Sequence, residues 1–91
     1  MALYQINLEK LAQKQLDKLE KNKKLLKKVL VMIEEISIDP YSTKHKFERL
    51  KYDLTGVCSK RLDKKNRILY RVIDQEIIVI VISVLGHYDE N

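Results

Sequence analysis

The sequence contains no tryptophan, one proline, one cysteine and two glycines. A single cysteine, Cys58, excludes an intramolecular disulfide, and one cysteine with two histidines does not form a ligand spacing typical of zinc sites. The two glycines, Gly56 and Gly86, are isolated, which excludes a glycine-rich phosphate-binding loop. We therefore expect neither a bound metal ion nor a cofactor.

Long apolar runs and a secretion signal are also missing. The longest apolar run, residues 77 to 82, is far shorter than the roughly 20 residues that a membrane-spanning helix requires. The first residues lack the cationic region and the apolar stretch of a signal peptide. The sequence therefore predicts a cytoplasmic protein with no membrane span.

Positive charge predominates and is unevenly distributed. The chain carries 18 Lys and Arg against 13 Asp and Glu, which gives a net charge of +5. All 18 basic residues lie at or before Arg71, and ten of them lie between Lys44 and Arg71. Such a basic surface favours an acidic partner, either nucleic acid or an acidic protein.

The first half of the chain shows helical periodicity after a short alternating segment. The alternation in ALYQIN predicts an opening strand, and Asn7 is expected to cap the helix that follows. A first amphipathic helix is predicted from Leu8 to Leu19, with Leu11 on its apolar face. A second helix, with Leu30 on its apolar face, is predicted between Asn22 and the Asp39-Pro40 pair, because the residue before a proline avoids the α region.

The second half of the chain alternates with a period of two. The segments GVCSKRLD, RILYRVID and EIIVIVISVL predict three strands, and the short links between them favour an antiparallel meander. A polar loop over residues 41–49 leads into a further short strand near Glu48 to Leu50. The last segment is apolar on both faces, so its strand should be central in the sheet or covered on both sides.

Helices followed by strands are typical of an α+β fold. We expect two antiparallel N-terminal helices packed on one face of a twisted, mainly antiparallel sheet of four to five strands. A chain of 91 residues buries only roughly 60–65% of the surface that its unfolded form exposes, which is enough for one core. We therefore predict one domain over residues 1–91.

A set of residues in the second half has the composition that metal-free RNA cleavage requires. This reaction needs a base for the ribose 2′-OH, cations for the charge that develops on the phosphate, and an acid for the departing 5′-oxygen. Histidine is suited to donate a proton near neutral pH. The set consists of Glu48 among Lys46, Arg49 and Lys51, of Arg61 and Arg67 on neighbouring predicted strands, and of His87 with Tyr88 after the last strand.

Taken singly, these residues have simpler explanations. Glu48 can neutralise its basic neighbours, and Arg61 and Arg67 can be solvated strand residues. His87 can be an exposed terminal residue. Cys58 is more simply a small buried hydrophobe than the nucleophile of a pair with His87.

Five short elements in a fixed order give this set a more specific meaning. They lie in the segments DPYSTKHKFERLKYDLTG, SKRLDKKNRILYRV and GHY, which make up about half the chain. In these elements the sequence resembles the Txe/YoeB branch of the RelE-like toxins of bacterial toxin–antitoxin modules. The elements are Glu48-Arg49-Leu50-Lys51, Asp53-Leu54-Thr55-Gly56, Ser59-Lys60-Arg61, Arg67-Ile68-Leu69-Tyr70 and His87-Tyr88.

The resemblance implies a ribosome-dependent mRNA interferase that works without metal or cofactor and is neutralised by a cognate antitoxin. It implies that Glu48 is the general base, that His87 is the general acid and that Arg67 stabilises the phosphorane. Homodimers are compatible with this branch of the family. The RNA-binding set that the resemblance implies is Lys51 and Arg61 on the RNA backbone, with Lys46, Lys60 and Tyr88.

The chain departs from the usual family pattern at several positions. Phe47 and Arg49 flank the glutamate where family members usually carry prolines, and Val57-Cys58 stands where an aromatic pair is common. Lys60 and Asn66 replace a usual arginine and a usual histidine. Lysine lacks the bidentate fork with which arginine binds phosphate.

Two other functions are open at this point. A non-catalytic toxin of the RelE/ParE fold would act by binding, to gyrase or to the ribosome, although such relatives lack the terminal His-Tyr pair and the matching glutamate. A structural partner protein would use its basic surface only to bind an acidic companion. The last alternative predicts that a charge-preserving change such as Arg67→Lys has no functional effect.

Overall fold

The computed structural model of the chain describes residues 3–51 and 56–86. This part of the chain contains two α-helices, α1 (Lys10–Lys18) and α2 (Lys23–Ile38), which are linked by a 3-10 turn over Leu19–Lys21. Neither helix is long and apolar enough to cross a membrane. The strands are β1 (Gln5–Leu8), β2 (Glu48–Arg49), β3 (Val57–Arg61), β4 (Arg67–Ile73) and β5 (Ile78–Gly86).

The second helix has the boundaries that the sequence predicted. Asn22 occupies the N-cap position, and its side-chain oxygen accepts a hydrogen bond from the backbone N–H of Leu25 at 3.2 Å. At the other end Asp39 has an extended backbone, as expected for a residue that precedes proline. Both ends of α2 are therefore set by local signals.

The start of the first helix differs from the prediction. Leu8 belongs to β1, and Glu9 occupies the N-cap position of α1 without a side-chain hydrogen bond. Asn7 therefore does not cap a helix, because its backbone lies in β1, opposite Ile80 of β5. Pairing with a distant strand has overridden the local capping preference.

Two leucines that were predicted on the buried faces of the helices lie on the surface. Leu11 of α1 is 52% exposed, and Leu30 of α2 is 50% exposed. Each residue advances an α-helix by about 100°, so Leu30 points away from the direction of the fully buried Val29. The buried residues of the two helices are Ala12, Val29, Met32, Ile36 and Ser37.

The strands form one mixed sheet in the order β1-β5-β4-β3-β2. Strands β2 to β5 are antiparallel neighbours, as the short links predicted, and β1 pairs with β5 in parallel. The helices pack against this sheet, and the core contains Ala12 and Val29 from the helices with Ile68 and Tyr70 from β4. The predicted α+β fold with a mainly antiparallel sheet is confirmed.

Strand β5 lies between β1 and β4, as its apolar character predicted. Val79, Val81 and Val84 are fully buried. The register between β4 and β5 shifts next to Leu69. Beyond this shift, the side-chain oxygen of Gln15 accepts hydrogen bonds from the backbone N–H groups of Val84 at 2.7 Å and Leu85 at 3.2 Å, and from the hydroxyl of Ser83 at 3.3 Å. These hydrogen bonds attach helix α1 to the C-terminal part of the central strand β5.

Candidate active site

A carboxylate and a guanidinium meet at the β2 edge of the sheet. Glu48 on β2 lies opposite Ser59 on β3. The Nη1 atom of Arg67 on β4 lies 3.5 Å from Oε1 of Glu48 and donates a hydrogen bond to Oγ of Ser59 at 3.1 Å. The side chain of Glu48 is 48% exposed and that of Arg67 is 18% exposed. Three adjacent strands therefore place a solvent-accessible carboxylate beside a mostly buried cation.

A second cation lies next to this pair. Arg61 of β3 is directly opposite Arg67 of β4, so the two side chains project from the same face of the sheet. Like charges at opposed positions destabilise a sheet, whereas an anion held between them removes the repulsion. The arrangement is suited to bind a phosphodiester beside the carboxylate of Glu48.

Two of the predicted RNA-binding lysines lie close to Glu48 in the chain. Lys46 is exposed in the turn that precedes β2, and Lys51 is exposed just after β2. Lys46 and its neighbour His45 have positive φ angles of 52° and 60°. Both lysines are therefore available to an approaching polyanion.

Lys60, in contrast, does not lie on the surface. The residue is 1% exposed, and its ammonium donates hydrogen bonds to the carbonyl oxygens of Ser42 at 2.7 Å and Lys44 at 3.0 Å and to the hydroxyl of Ser42 at 3.0 Å. Alternation along β3 directs Lys60 away from the face that carries Ser59 and Arg61. The prediction that Lys60 binds RNA is therefore corrected, because its three donors are occupied within the protein.

His87 and Tyr88 lie outside the described residues, as does the segment Asp53-Leu54-Thr55 of the second sequence element. Gly86 is the last described residue of β5, and it lies opposite Arg67 of β4. The C-terminal end of β5 therefore lies next to Arg67 of the Glu48–Arg67 pair.

Cys58 is buried at 4% exposure in the core, and burial raises the pKa of its thiol. This environment supports the structural interpretation of Cys58, because a nucleophilic cysteine needs a lowered thiol pKa.

Within residues 3–51 and 56–86, no group of three His, Cys, Asp or Glu side chains is arranged to hold a metal ion.

Sequence reasoning did not single out Ser59 or Arg71, which lie on the same face of the sheet as the Glu48–Arg67 pair. Ser59 orients Arg67 through the hydrogen bond at 3.1 Å. Arg71 is four residues after Arg67 on the same strand, so it projects from the same face, and it is exposed. The even spacing of Arg67 and Arg71 in RILYRVI was the available signal for the second arginine.

A hydrogen-bonded cluster next to β2 was also missed. The hydroxyl groups of Tyr4 and Tyr41 each donate to the carboxylate of Asp74 at 2.7 Å. The guanidinium of Arg49 lies 4.7 Å from the centre of the Tyr41 ring. The two tyrosine hydrogen bonds, that of Tyr41 first, lower the pKa of Asp74. Burial, followed by the hydrogen bond to Asp74, raises the pKa of Tyr41 to about 12.

Comparison with known proteins gives consistent matches. The family model of the "YoeB-like toxin of bacterial type II toxin-antitoxin system" matches residues 13–88. Toxin YoeB of Synechocystis is 35% identical over 69 residues, which are 76% of this chain and 78% of that protein. Two Staphylococcus aureus structures are similar at 28% identity over 93% of this chain and 98% of theirs. They are a heterotetrameric YoeB-YefM toxin-antitoxin complex, with a TM-score of 0.80, and a YoeB dimer, with a TM-score of 0.81.

The fold and the family match together define the class as a toxin of a bacterial type II toxin–antitoxin system. Within that class, this chain belongs to the YoeB-like toxin family. The resemblance that the sequence elements indicated is therefore confirmed.

Proposed function

We propose that this toxin is a ribosome-dependent mRNA endoribonuclease that inhibits translation and cleaves RNA by attack of the ribose 2′-OH, without a metal ion. The observation that supports the proposal most directly is the approach of Arg67 to within 3.5 Å of Glu48, with Arg61 directly opposite Arg67. A general base and two cations within one small area are the groups that the reaction requires.

In the proposed reaction, the carboxylate of Glu48 takes the proton of the 2′-OH, and the oxygen then attacks the adjacent phosphorus. Arg67 stabilises the negative charge that develops on the non-bridging oxygens. His87 donates a proton to the 5′-oxygen as its bond to phosphorus breaks. The products are a 2′,3′-cyclic phosphate and a 5′-hydroxyl, and DNA, which lacks the 2′-OH, does not react.

Substrate binding is proposed to use the basic residues around Glu48. Lys46 and Lys51 are exposed on either side of β2 and would contact backbone phosphates of the mRNA in the ribosome. Arg61 would do the same from β3, and Tyr88 would position the nucleotide. Since the substrate is translated mRNA, the proposed site of action is the cytoplasm.

The proposed protein partners follow from the relatives. The Staphylococcus aureus relatives form a YoeB-YefM complex and a YoeB dimer, and we propose a cognate antitoxin and a homodimer for this chain as well. In the described sheet, β1 and β2 are the edge strands. An antitoxin would add a strand at such an edge or lay an acidic segment over the basic face.

Primer extension on a defined mRNA tests the proposed activity. Wild-type protein is added to programmed ribosomes, to naked RNA, or to ribosomes together with the co-expressed antitoxin. The proposal predicts cuts on programmed ribosomes only, and it predicts that these cuts disappear when the antitoxin is present. Intact mRNA, combined with stalled gyrase on supercoiled DNA, would instead establish a binding toxin of the ParE type.

A further inference from the structure

The position of Glu48 depends on the segment before it. Strand β2 contains only two residues, which pair with Ser59 and Cys58 of β3 at the edge of the sheet. So short an edge strand makes few ladder hydrogen bonds. The irregular segment 42–47, which leads into Glu48, must therefore contribute to fixing the carboxylate.

A buried lysine, Lys60, holds this segment through hydrogen bonds. The Nζ atom of Lys60 donates to both oxygens of Ser42, at 2.7 Å and 3.0 Å, and to the carbonyl oxygen of Lys44 at 3.0 Å. An ammonium group has three donors, so all three are used on two residues of the segment. The same Nζ atom lies 5.2 Å from the centre of the Phe47 ring. A buried charge is tolerated only with such partners, and here the partners lie just before β2.

Two residues of the segment have an unusual backbone conformation. His45 and Lys46 have φ angles of 60° and 52°, in the left-handed region that residues other than glycine avoid. Such conformations persist where surrounding contacts impose them. Besides Lys60, these contacts are the backbone N–H of Arg61, which donates to the carbonyl of His45 at 2.6 Å, and the side chain of Glu35, 2.7 Å from the His45 ring.

We infer that Lys60 is a positioning residue, which fixes the segment 42–47 and through it the carboxylate of Glu48 against Arg67. The inference rests on the proposed function, since it assigns Glu48 a catalytic role. Successive residues of β3 contact the two sides of the Glu48–Arg67 pair. On one face of the sheet Ser59 accepts a hydrogen bond from Arg67. On the other face Lys60 donates hydrogen bonds to the segment that precedes Glu48. Lys60 acts through Glu48 and does not contact RNA.

Steady-state cleavage at several concentrations of programmed ribosomes tests the inference, with Lys60→Met, Lys60→Arg and, as the matched control, Arg61→Met. Arg61 is the next residue of β3, its backbone bond to His45 is retained in the variant, and its side chain is a proposed phosphate contact. Displacing a catalytic group by about 1 Å can lower the rate by roughly 10²-fold. We expect Lys60→Met to lower kcat by roughly 10- to 100-fold, with an unchanged KM for ribosomes and an unchanged salt dependence. Lys60→Arg, which retains the buried donors, should restore most of kcat.

The control should behave differently, because loss of a phosphate contact weakens binding and reduces the slope of log affinity against log salt by about 1. If Lys60→Met raises KM and reduces the salt slope as Arg61→Met does, Lys60 contacts RNA and the inference is wrong. It is equally wrong if Lys60→Met keeps the wild-type kcat.

Hydrogen exchange separates this inference from the proposed function. Amide exchange of residues 42–49 should accelerate in Lys60→Met. It should accelerate less in Ser42→Ala, which removes the hydroxyl that accepts from Lys60 at 3.0 Å and from the backbone N–H of Lys44 at 3.4 Å. The second variant serves if Lys60→Met does not fold. If Ser42→Ala changes neither the amide exchange of residues 42–49 nor kcat, the inference is wrong. A wild-type protein that does not cut mRNA would overturn the proposed function, whereas the exchange experiment would still decide whether Lys60 holds the segment.

Discussion

Arg61 and Arg67 lie directly opposite each other on β3 and β4. Opposed like charges on antiparallel strands repel each other, so the sheet carries this pair at a cost in stability. That cost is understandable if the pair binds a phosphate during the reaction. The relationship therefore connects the architecture of the sheet with the proposed substrate.

The first prediction concerns this pair. Arg61→Gln should raise the free energy of unfolding by about 0.2–1 kcal/mol, because it removes the repulsion, and should also weaken mRNA cleavage. Urea denaturation at low salt and primer extension on the same preparations measure both effects. Arg71→Gln is the matched control, since Arg71 lies opposite Val57 and gains no such relief. A loss of stability in Arg61→Gln would contradict the interpretation.

The second prediction concerns the tyrosine–aspartate cluster and pH. Because the pKa of Tyr41 in the folded protein, about 12, lies above its ordinary value of about 10, the fold favours the neutral phenol. This contribution is fully present below pH 10 and is lost as the pH rises towards 12. Urea unfolding midpoints of the wild type should therefore fall across this range more steeply than those of Tyr41→Phe. Parallel curves for the two proteins would show that ionisation of Tyr41 does not contribute to the loss of stability in this range.

The third prediction concerns the stability that the same cluster contributes at low pH. The pKa of Asp74 is lowered by the hydrogen bonds from Tyr41 and Tyr4, so its contribution is present above its ordinary value of about 3.9 and is lost as the pH falls through the lower folded value. The stability difference between wild type and Asp74→Asn should accordingly shrink on acidification. Chemical denaturation between neutral and acidic pH measures it, and a difference that grows towards low pH would contradict the assignment.

The fourth prediction concerns the attachment of α1 to β5. Gln15→Leu leaves the backbone N–H groups of Val84 and Leu85 without their acceptor, and should lower the free energy of unfolding by about 1–3 kcal/mol. Gln13→Leu on the exposed face of the same helix is the control, and its effect should stay within about 0.5 kcal/mol. Urea denaturation compares the two variants, and equal effects would mean that the bonds to β5 add no stability.

The sequence predicted the parts of the fold that depend on local signals. The ends of α2 were predicted correctly because a capping asparagine and a proline act within three or four residues. The start of α1 was misplaced because the parallel pairing of β1 with β5 joins residues about 70 positions apart. Nothing near Asn7 in the sequence indicates that pairing.

The candidate site was predictable to a similar extent. Alternation along β3 and β4 was enough to place Arg61 and Arg67 on neighbouring strands. The burial of Lys60 was not predictable, because its partners are backbone and hydroxyl oxygens 16 and 18 residues away, and their positions depend on the irregular segment 42–47. A lysine in a basic sequence gives no sign that such oxygens surround it.

The most direct test of the central claim is single-turnover cleavage of a defined mRNA on programmed ribosomes by wild type and by Glu48→Gln. The amide keeps the size of the side chain but cannot serve as the base. Since a general base contributes typically 10²–10⁴-fold, we expect the rate to fall by a factor in that range while ribosome binding is unchanged. A Glu48→Gln protein that cleaves at the wild-type rate would contradict the account, because it would show that Glu48 is not the base.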